Sequence, residues 1–160
     1  MLRDKLKDFN NNENNILKKN VLLIGAGGIG CELLKCLVMS SIKNISIIDL
    51  DKVEKSNLNR QFLFGYDSIG KYKSLMAKNS IEKITGIKDL NIKAYIGNIK
   101  DSSKFPMDFF KEFDCIINAL DNIDARSYVN RICNSNEIPL VNSGTEGFLG
   151  TCNCFKGKST

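Results

Sequence analysis

A chain of 160 residues, 42% apolar and 26% charged with a formal net charge of +5, has the make-up of one globular domain with its own core. No apolar run reaches the ~18–20 residues of a membrane helix, and the polar lead Met1–Asn20 lacks the apolar stretch of a secretory signal, so an intracellular protein without a membrane contact is expected. The lysines Lys35, Lys43, Lys83, Lys88 and Lys93 stand singly along the chain, as on a solvated surface, and this argues against nucleic acid as a partner.

In chain order, the Asn/Glu tract Asn10–Asn15 reads as a flexible connector. Val21-Leu22-Leu23-Ile24 is a buried strand that runs into glycine. Ile29, Leu33, Leu34, Leu37 and Val38 then mark one face of a helix. Asn44–Asp49 is a second strand and Gly65–Gly70 a turn. Ile69, Tyr72, Met76 and Ile84 predict a helical stripe, and Leu90, Ile92, Ala94 and Ile96 alternate as in a third strand. A short helix is predicted over Asp108–Phe113 after Pro106, and a fourth strand over Cys115–Leu120. Ala125, Tyr128, Val129, Ile132 and Cys133 mark another helix. Ile138–Val141 and Phe148–Phe155 are the fifth and sixth strands. Strands alternating with helices predict an α/β fold, Rossmann-like, with a mostly parallel sheet and helices on both faces.

Six cysteines fit a reducing compartment. Cys31, Cys36, Cys115 and Cys133 lie among apolar residues and read as buried thiols. Cys152 and Cys154 are spaced C-x-C and would share one face of a strand. A zinc site needs about four ligands, and with no histidine and no second pair these two do not make one.

Three clusters carry chemistry. Gly25-Ala26-Gly27-Gly28-Ile29-Gly30 follows a strand and opens a helix, with Asp49 ~20 residues on at the end of the second strand. Such glycines let the backbone approach phosphate, and the helix end offers free N–H groups. Asp49 suits a ribose hydroxyl pair and does not distinguish ATP from NAD. The second cluster, Ser56-Asn57-Leu58-Asn59-Arg60-Gln61 with Lys73 on the next helix, offers two cations near the glycine loop. Singly, each also fits a surface role. Together they suit adenylation, which develops charge on the α-phosphate and on departing pyrophosphate; hydride transfer needs no such cations. The third cluster runs from Ala119 to Arg126. Asp121, beyond the fourth strand, either holds Mg²⁺ on phosphate oxygens or, with Asn122, caps the next helix; spacing slightly favours the cap. The absence of histidine removes the usual group titrating near neutrality. Acyl adenylation does not need one, because its carboxylate nucleophile is already ionised.

GAGGIGCELLK (Gly25–Lys35), IDLDKVEKSNLNRQFLF (Ile48–Phe64), GKYK (Gly70–Lys73), NALDNIDAR (Asn118–Arg126) and NSGTEGFLG (Asn142–Gly150) together resemble the adenylation domain of ubiquitin-like-modifier activating enzymes, with its ThiF/MoeB-like adenylation fold. The likeness covers roughly Val21–Phe155. Among the family's branches, the SUMO type of catalytic subunit is the most similar, on the short lead before the first strand and the Ala-Arg pair that follows ALDN; NEDD8- and ubiquitin-activating types come next. The resemblance implies ATP and Mg²⁺. It implies a glycine loop at Gly25–Gly30 and a ribose-binding Asp49. Nucleotide contacts follow at Asn57, Asn59, Arg60, Gln61 and Lys73, and at Asn98 and Ile99 beside adenine. It turns Asp121 from cap to metal ligand, with Asn122 and Arg126 beside it, and makes Arg60, Lys73 and Asp121 the catalytic residues. It also implies a partner subunit that supplies an arginine, a ubiquitin-like modifier (SUMO favoured) as substrate, and a nuclear or cytoplasmic site of action. The family's paired C-x-x-C zinc motifs, thioester cysteine, modifier-like domain and route to a conjugating enzyme match nothing in these residues. The chain is therefore expected to be the N-terminal part of a longer protein, unable to complete thioester transfer alone. Two other classes, an NAD-dependent oxidoreductase and a non-catalytic scaffold, would show themselves by NAD binding or by the absence of ATP chemistry.

Overall fold

Four apolar residues in a row, without polar alternation, must be covered on both faces of a sheet, and Val21–Ile24 is. In the computed structural model, which describes residues 17–156, this run forms β1 (Asn20–Ile24) at the middle of the sheet. Val21 and Leu23 point into one cluster, with Leu34, Val38, Ala77 and Ile81. Leu22 and Ile24 point into the other, with Phe110, Val129 and Ile132. The tract Asn10–Asn15 lies outside the described residues.

The chain continues as α1 (Gly28–Met39), β2 (Asn44–Asp49), α2 (Lys73–Thr85), β3 (Asn91–Ile96), α3 (Met107–Phe110), β4 (Cys115–Asn118), α4 (Ile123–Ser135), β5 (Leu140–Glu146) and β6 (Leu149–Phe155). The sheet order is β3-β2-β1-β4-β5-β6. All neighbours are parallel except β5 and β6. The α/β, mostly parallel architecture read from the sequence is thus the one observed, with α1 and α2 on one face and α3 and α4 on the other. From β1 the chain builds outward through β2 to β3, then returns to place β4 on the other side of β1. That reversal opens a crevice at the carboxyl ends of β1 and β4, where open α/β sheets bind ligands. No helix among the described residues is long and apolar enough to cross a membrane.

Several boundaries differ from the sequence reading. The stripe Ile69, Tyr72, Met76, Ile84 does not face the sheet as one helix. Ile69 and Tyr72 precede α2, and Ile84 is 63% exposed. The buried positions are Lys73, Ser74, Ala77 and Ile81. Small side chains at 74 and 77 let the helix lie close to the sheet, so its seam lacks the large apolar residues that mark a stripe in sequence. The helix predicted over Asp108–Phe113 stops at Phe110, and Phe113 turns back into an aromatic cluster with Phe109, ring centroids 5.2 Å apart. β4 ends at Asn118 rather than Leu120 because the Asn118 side chain accepts the Leu120 N–H at 3.2 Å and turns the chain. β5 begins at Leu140 and runs on to Glu146, beyond the predicted Ile138–Val141. Its polar half, Asn142–Glu146, is extended by backbone pairing with β6, which leaves no apolar signal. Cys36, expected to be buried, is exposed. Burial pushes the Cys31 and Cys133 thiols up to about 12, which keeps them protonated and unreactive.

Candidate functional site

The crevice at the switch point is an open cleft of about 880 Å³, within the ~300–1,000 Å³ usual for small-molecule sites. Its floor is the glycine loop. Gly25 has φ +97°, and a Cβ there would lie 2.8 Å from the Ala119 carbonyl oxygen, so β1 meets the exit of β4 only through glycine. A Cβ on Gly30 would stand 2.1 Å from the Gly25 carbonyl oxygen, so the loop also folds against the first turn of α1 only without a side chain. Gly27 precedes α1 with no side-chain cap, and the first turn of the helix holds no acidic residue. Its N–H groups and positive dipole end are therefore left to an anion.

Asp49 closes the β2 side. One oxygen accepts the Ala26 N–H at 2.6 Å and the other the Asp51 N–H at 2.7 Å. Burial pushes its carboxyl up, opposed by those two N–H groups and by nearby Lys73. Lys73 is the first residue of α2; the residue is buried and its Nζ lies 2.9 Å from Asp51 Oδ2. Arg60 projects from the loop after β2, with Nη1 donating to the Ser56 carbonyl at 2.8 Å and to Asn59 Oδ1 at 3.2 Å. Gln61 is 3% exposed, lines the cleft, and has a side-chain carbonyl without a partner among the described residues.

The opposite wall comes from the loops after β3, β4 and β5. Asn98 and Ile99 line it, Asn98 through a turn in which its Oδ1 accepts the Lys100 N–H at 3.0 Å. Asn122, not Asp121, caps α4: its Oδ1 accepts the N–H groups of Asp124 and Ala125 at 2.9 and 3.2 Å. Asp121 is exposed, lines the cleft, and has no hydrogen-bond or ion-pair partner among the described residues. Arg126 holds the wall together, donating to the Leu120 and Ser143 carbonyls and, at 2.9 Å, to Asn142 Oδ1.

Of the residues singled out in the sequence, Gly25, Gly27, Gly28, Ile29, Asp49, Arg60, Gln61, Lys73, Asn98, Ile99, Asp121, Asn122 and Arg126 line this one cleft. Four stand behind it. Ala26 is spent on Asp49, and Gly30 is packed under Gly25. Asn57 accepts the Glu54 N–H at 2.9 Å within a turn, and Asn59 steadies Arg60. The sequence reading gave Asp51, Lys100 and Glu146 no part in the site, and placed Asp124 only within the third cluster; all four also line the cleft. Asp51 stands two residues past Asp49 on the same strand exit, but nothing local in the sequence shows its pairing with Lys73. Among the described residues no three Asp, Glu or Cys side chains converge to hold a metal, so a cation here would need oxygens from a ligand as well as Asp121.

The ThiF family pattern matches residues 5–160. The chain is 53% identical over 140 residues to SUMO-activating enzyme subunit 2 of Dictyostelium discoideum, covering 87% of this chain and 21% of that one. It is 47% identical over 129 residues to a ubiquitin-activating enzyme E1-like protein of Saccharomyces cerevisiae, covering 81% and 20%. It is 37% identical over 163 residues to the NEDD8-activating enzyme E1 catalytic subunit of Arabidopsis thaliana, covering 93% and 33%. The chain thus spans about a fifth to a third of the length of these relatives. Among solved structures it is similar to E. coli MccB with succinimide, at TM-score 0.81 and 26% identity over 92% of this chain and 44% of MccB. MccB solved with AMPCPP and MccA gives TM-score 0.78 and 25% identity over 92% and 43%.

Proposed function

This chain belongs to the ThiF family, and from that premise we propose that it is the nucleotide-binding part of an enzyme that activates a ubiquitin-like modifier, SUMO in preference to NEDD8 or ubiquitin, by adenylating its C-terminal carboxylate. The observation that carries the reading is the pairing of the glycine loop and uncapped α1 end with Asp121, an acid on the facing wall without a partner among the described residues. A polyphosphate fits the first and a divalent cation the second.

The residues fit ATP. Gly25, Gly27, Gly28 and the start of α1 would receive phosphate, with Ala26 and Gly30 shaping the loop. Asp49 already has both oxygens on backbone N–H groups, and its remaining lone pairs suit ribose hydroxyls. Asn98 and Ile99 border the end of the cleft where a base would lie. Arg60, steadied by Asn59, and Lys73, paired with Asp51, would offset charge on the α-phosphate and on departing pyrophosphate, with Asn57 and Gln61 in the same segment as Arg60. Asp121, beside Asn122 and Arg126, would hold Mg²⁺ together with phosphate oxygens; the ion when bound supplies charge neutralisation across the phosphates. The modifier's carboxylate attacks the α-phosphorus and pyrophosphate leaves, so this protein's task is to align the two and balance charge. SUMO is preferred because the short lead and the Ala-Arg pair typical of that branch coincide with the 53% identity to a SUMO-activating subunit; the 37% identity to a NEDD8-activating subunit keeps that modifier as the second reading. A partner subunit would supply a further arginine, and the reaction would run in the nucleus or cytoplasm.

The test is ATP–pyrophosphate exchange by the assembled enzyme carrying this chain, with each candidate modifier. Exchange that depends on one modifier and is lost in Asp121→Ala is the expected result. Exchange unaffected by Asp121→Ala removes the metal assignment, and NAD binding in preference to ATP removes the reading itself.

A further inference from the structure

A lysine at the first position of a helix sits at the positive end of the macrodipole, where a cation is disfavoured. Lys73 does so at the head of α2, and the first turn of α2 has no acidic residue to compensate. The countercharge comes from the β2 exit instead. Asp51 accepts the Lys73 N–H on its backbone carbonyl at 2.9 Å and the Lys73 Nζ on its carboxylate, also at 2.9 Å. The two side chains are unequally placed: Lys73 is 11% exposed, Asp51 55%. The cation is therefore fixed within the wall, and the carboxylate that fixes it opens on the cleft.

Asp51 is itself fixed. Its N–H is held at 2.7 Å by the Asp49 oxygen opposite the one that takes the Ala26 N–H. A continuous bridge thus runs from the glycine loop through Asp49 and Asp51 to Lys73, and it sets where the cation stands relative to the loop. A lysine stem is otherwise flexible, and at the distances that matter for phosphoryl chemistry a misplacement of ~1 Å costs about a hundredfold in rate.

The geometry points to Asp51 as a positioning residue for Lys73: it holds the ammonium group in register with the glycine loop and acts on the reaction only through that lysine. The proposal rests on the adenylation reading above. Asp51 is not assigned to nucleotide or metal, since its carboxylate is engaged by the lysine.

The experiment is ATP–pyrophosphate exchange by the assembled enzyme with Asp51→Asn, Asp51→Glu, Lys73→Ala and the double variant Asp51→Asn/Lys73→Ala. Asp51→Asn should lower kcat about 10- to 100-fold. Its KM for ATP should stay level or fall, because the same change removes a negative charge beside the triphosphate. Asp51→Glu should recover part of the rate. In the Lys73→Ala background, Asp51→Asn should have almost no further effect, as expected for residues that act as a unit. A wild-type kcat in Asp51→Asn overturns the proposal, and so does an undiminished loss in the Lys73→Ala background. A lowered melting temperature in Asp51→Asn with no rate recovery in Asp51→Glu overturns it too, leaving a structural role alone. If Lys73→Ala exchanges as well as wild type, the adenylation reading of Lys73 fails first and takes this inference with it.

Discussion

On the β1–β2 side of the cleft, the acidic and basic groups are tied to the fold before any ligand arrives. Asp49 is bonded to two backbone N–H groups, and Lys73 is paired to Asp51. On the β4 side the opposite holds for the one group expected to meet a metal. Asn122 caps α4 and Arg126 laces the strand ends, but Asp121, next to Asn122 in the chain, is exposed and without a partner among the described residues. The difference teaches how the work is divided. A wall that must recognise a fixed shape, a phosphate chain on a glycine loop, benefits from preorganised dipoles. A wall that shares a hydrated cation with its ligand needs a carboxylate free to accept it. Sequence proximity hides this, since Asp121 and Asn122 are adjacent and chemically alike, yet one is spent on the helix and the other is not.

If that division holds, stability and activity should separate along it. The largest effect is expected at Asp121. Asp121→Ala should reduce ATP–pyrophosphate exchange by about 10²–10³-fold, while the unfolding free energy from urea titration changes by no more than the ~0.5 kcal/mol usual for an exposed site. A large loss of stability would mean that Asp121 is structural, and the contrast between the walls would collapse. On the other wall the fold should suffer directly. Gly30→Ala places a Cβ 2.1 Å from the Gly25 carbonyl oxygen, a backbone clash with no side chain to move, and should cost about 1–3 kcal/mol or more of unfolding free energy together with exchange activity. Normal stability in Gly30→Ala would show that the loop is not held as tightly as its geometry states.

Much of this was legible in the sequence, for local reasons. The apolar run Val21–Ile24 and the glycines after it specify a covered strand and a close turn without reference to the rest of the chain. Asp49 could be located because a strand and a helix of ordinary length separate it from the loop. What could not be read depended on partners distant in the chain. The buried face of α2 rests on Ser74 and Ala77, small residues whose burial follows from the closeness of the sheet and leaves no hydrophobic period. The polar end of β5 is a strand because β6 pairs with it. Asp51 had no visible task until α2 brought Lys73, 22 residues later, within 2.9 Å. The choice between Asp121 and Asn122 as cap turned on side-chain direction, which adjacent residues of similar type do not encode.

Two smaller substitutions sharpen the comparison on the β4 side. Asn122→Ala removes the acceptor of two N–H groups at the head of α4 and should cost about 1 kcal/mol in urea unfolding, a loss that Asp121→Ala should not show. A stability change in the reverse order would make Asp121 the working cap. The smallest effect is expected at Lys100, whose ammonium pairs with Asp124 and so spans the loop after β3 and the first turn of α4. The pair lies in the open, with side chains 39% and 72% exposed, where ion pairs contribute little and salt screens them. Lys100 does hold the Asp124 carboxyl below its ordinary value. Any stabilisation is therefore present above the ordinary carboxylate pKa and disappears as the pH falls through the depressed one. Lys100→Ala should leave the urea midpoint at neutral pH nearly unmoved. Whatever small difference from wild type appears at low salt should vanish in strong acid. A loss as large as that of Asn122→Ala would mean that the loop after β3 and the head of α4 are mechanically joined, and Asp124, not the Asn122 cap alone, would then be fixing the wall from which Asp121 projects.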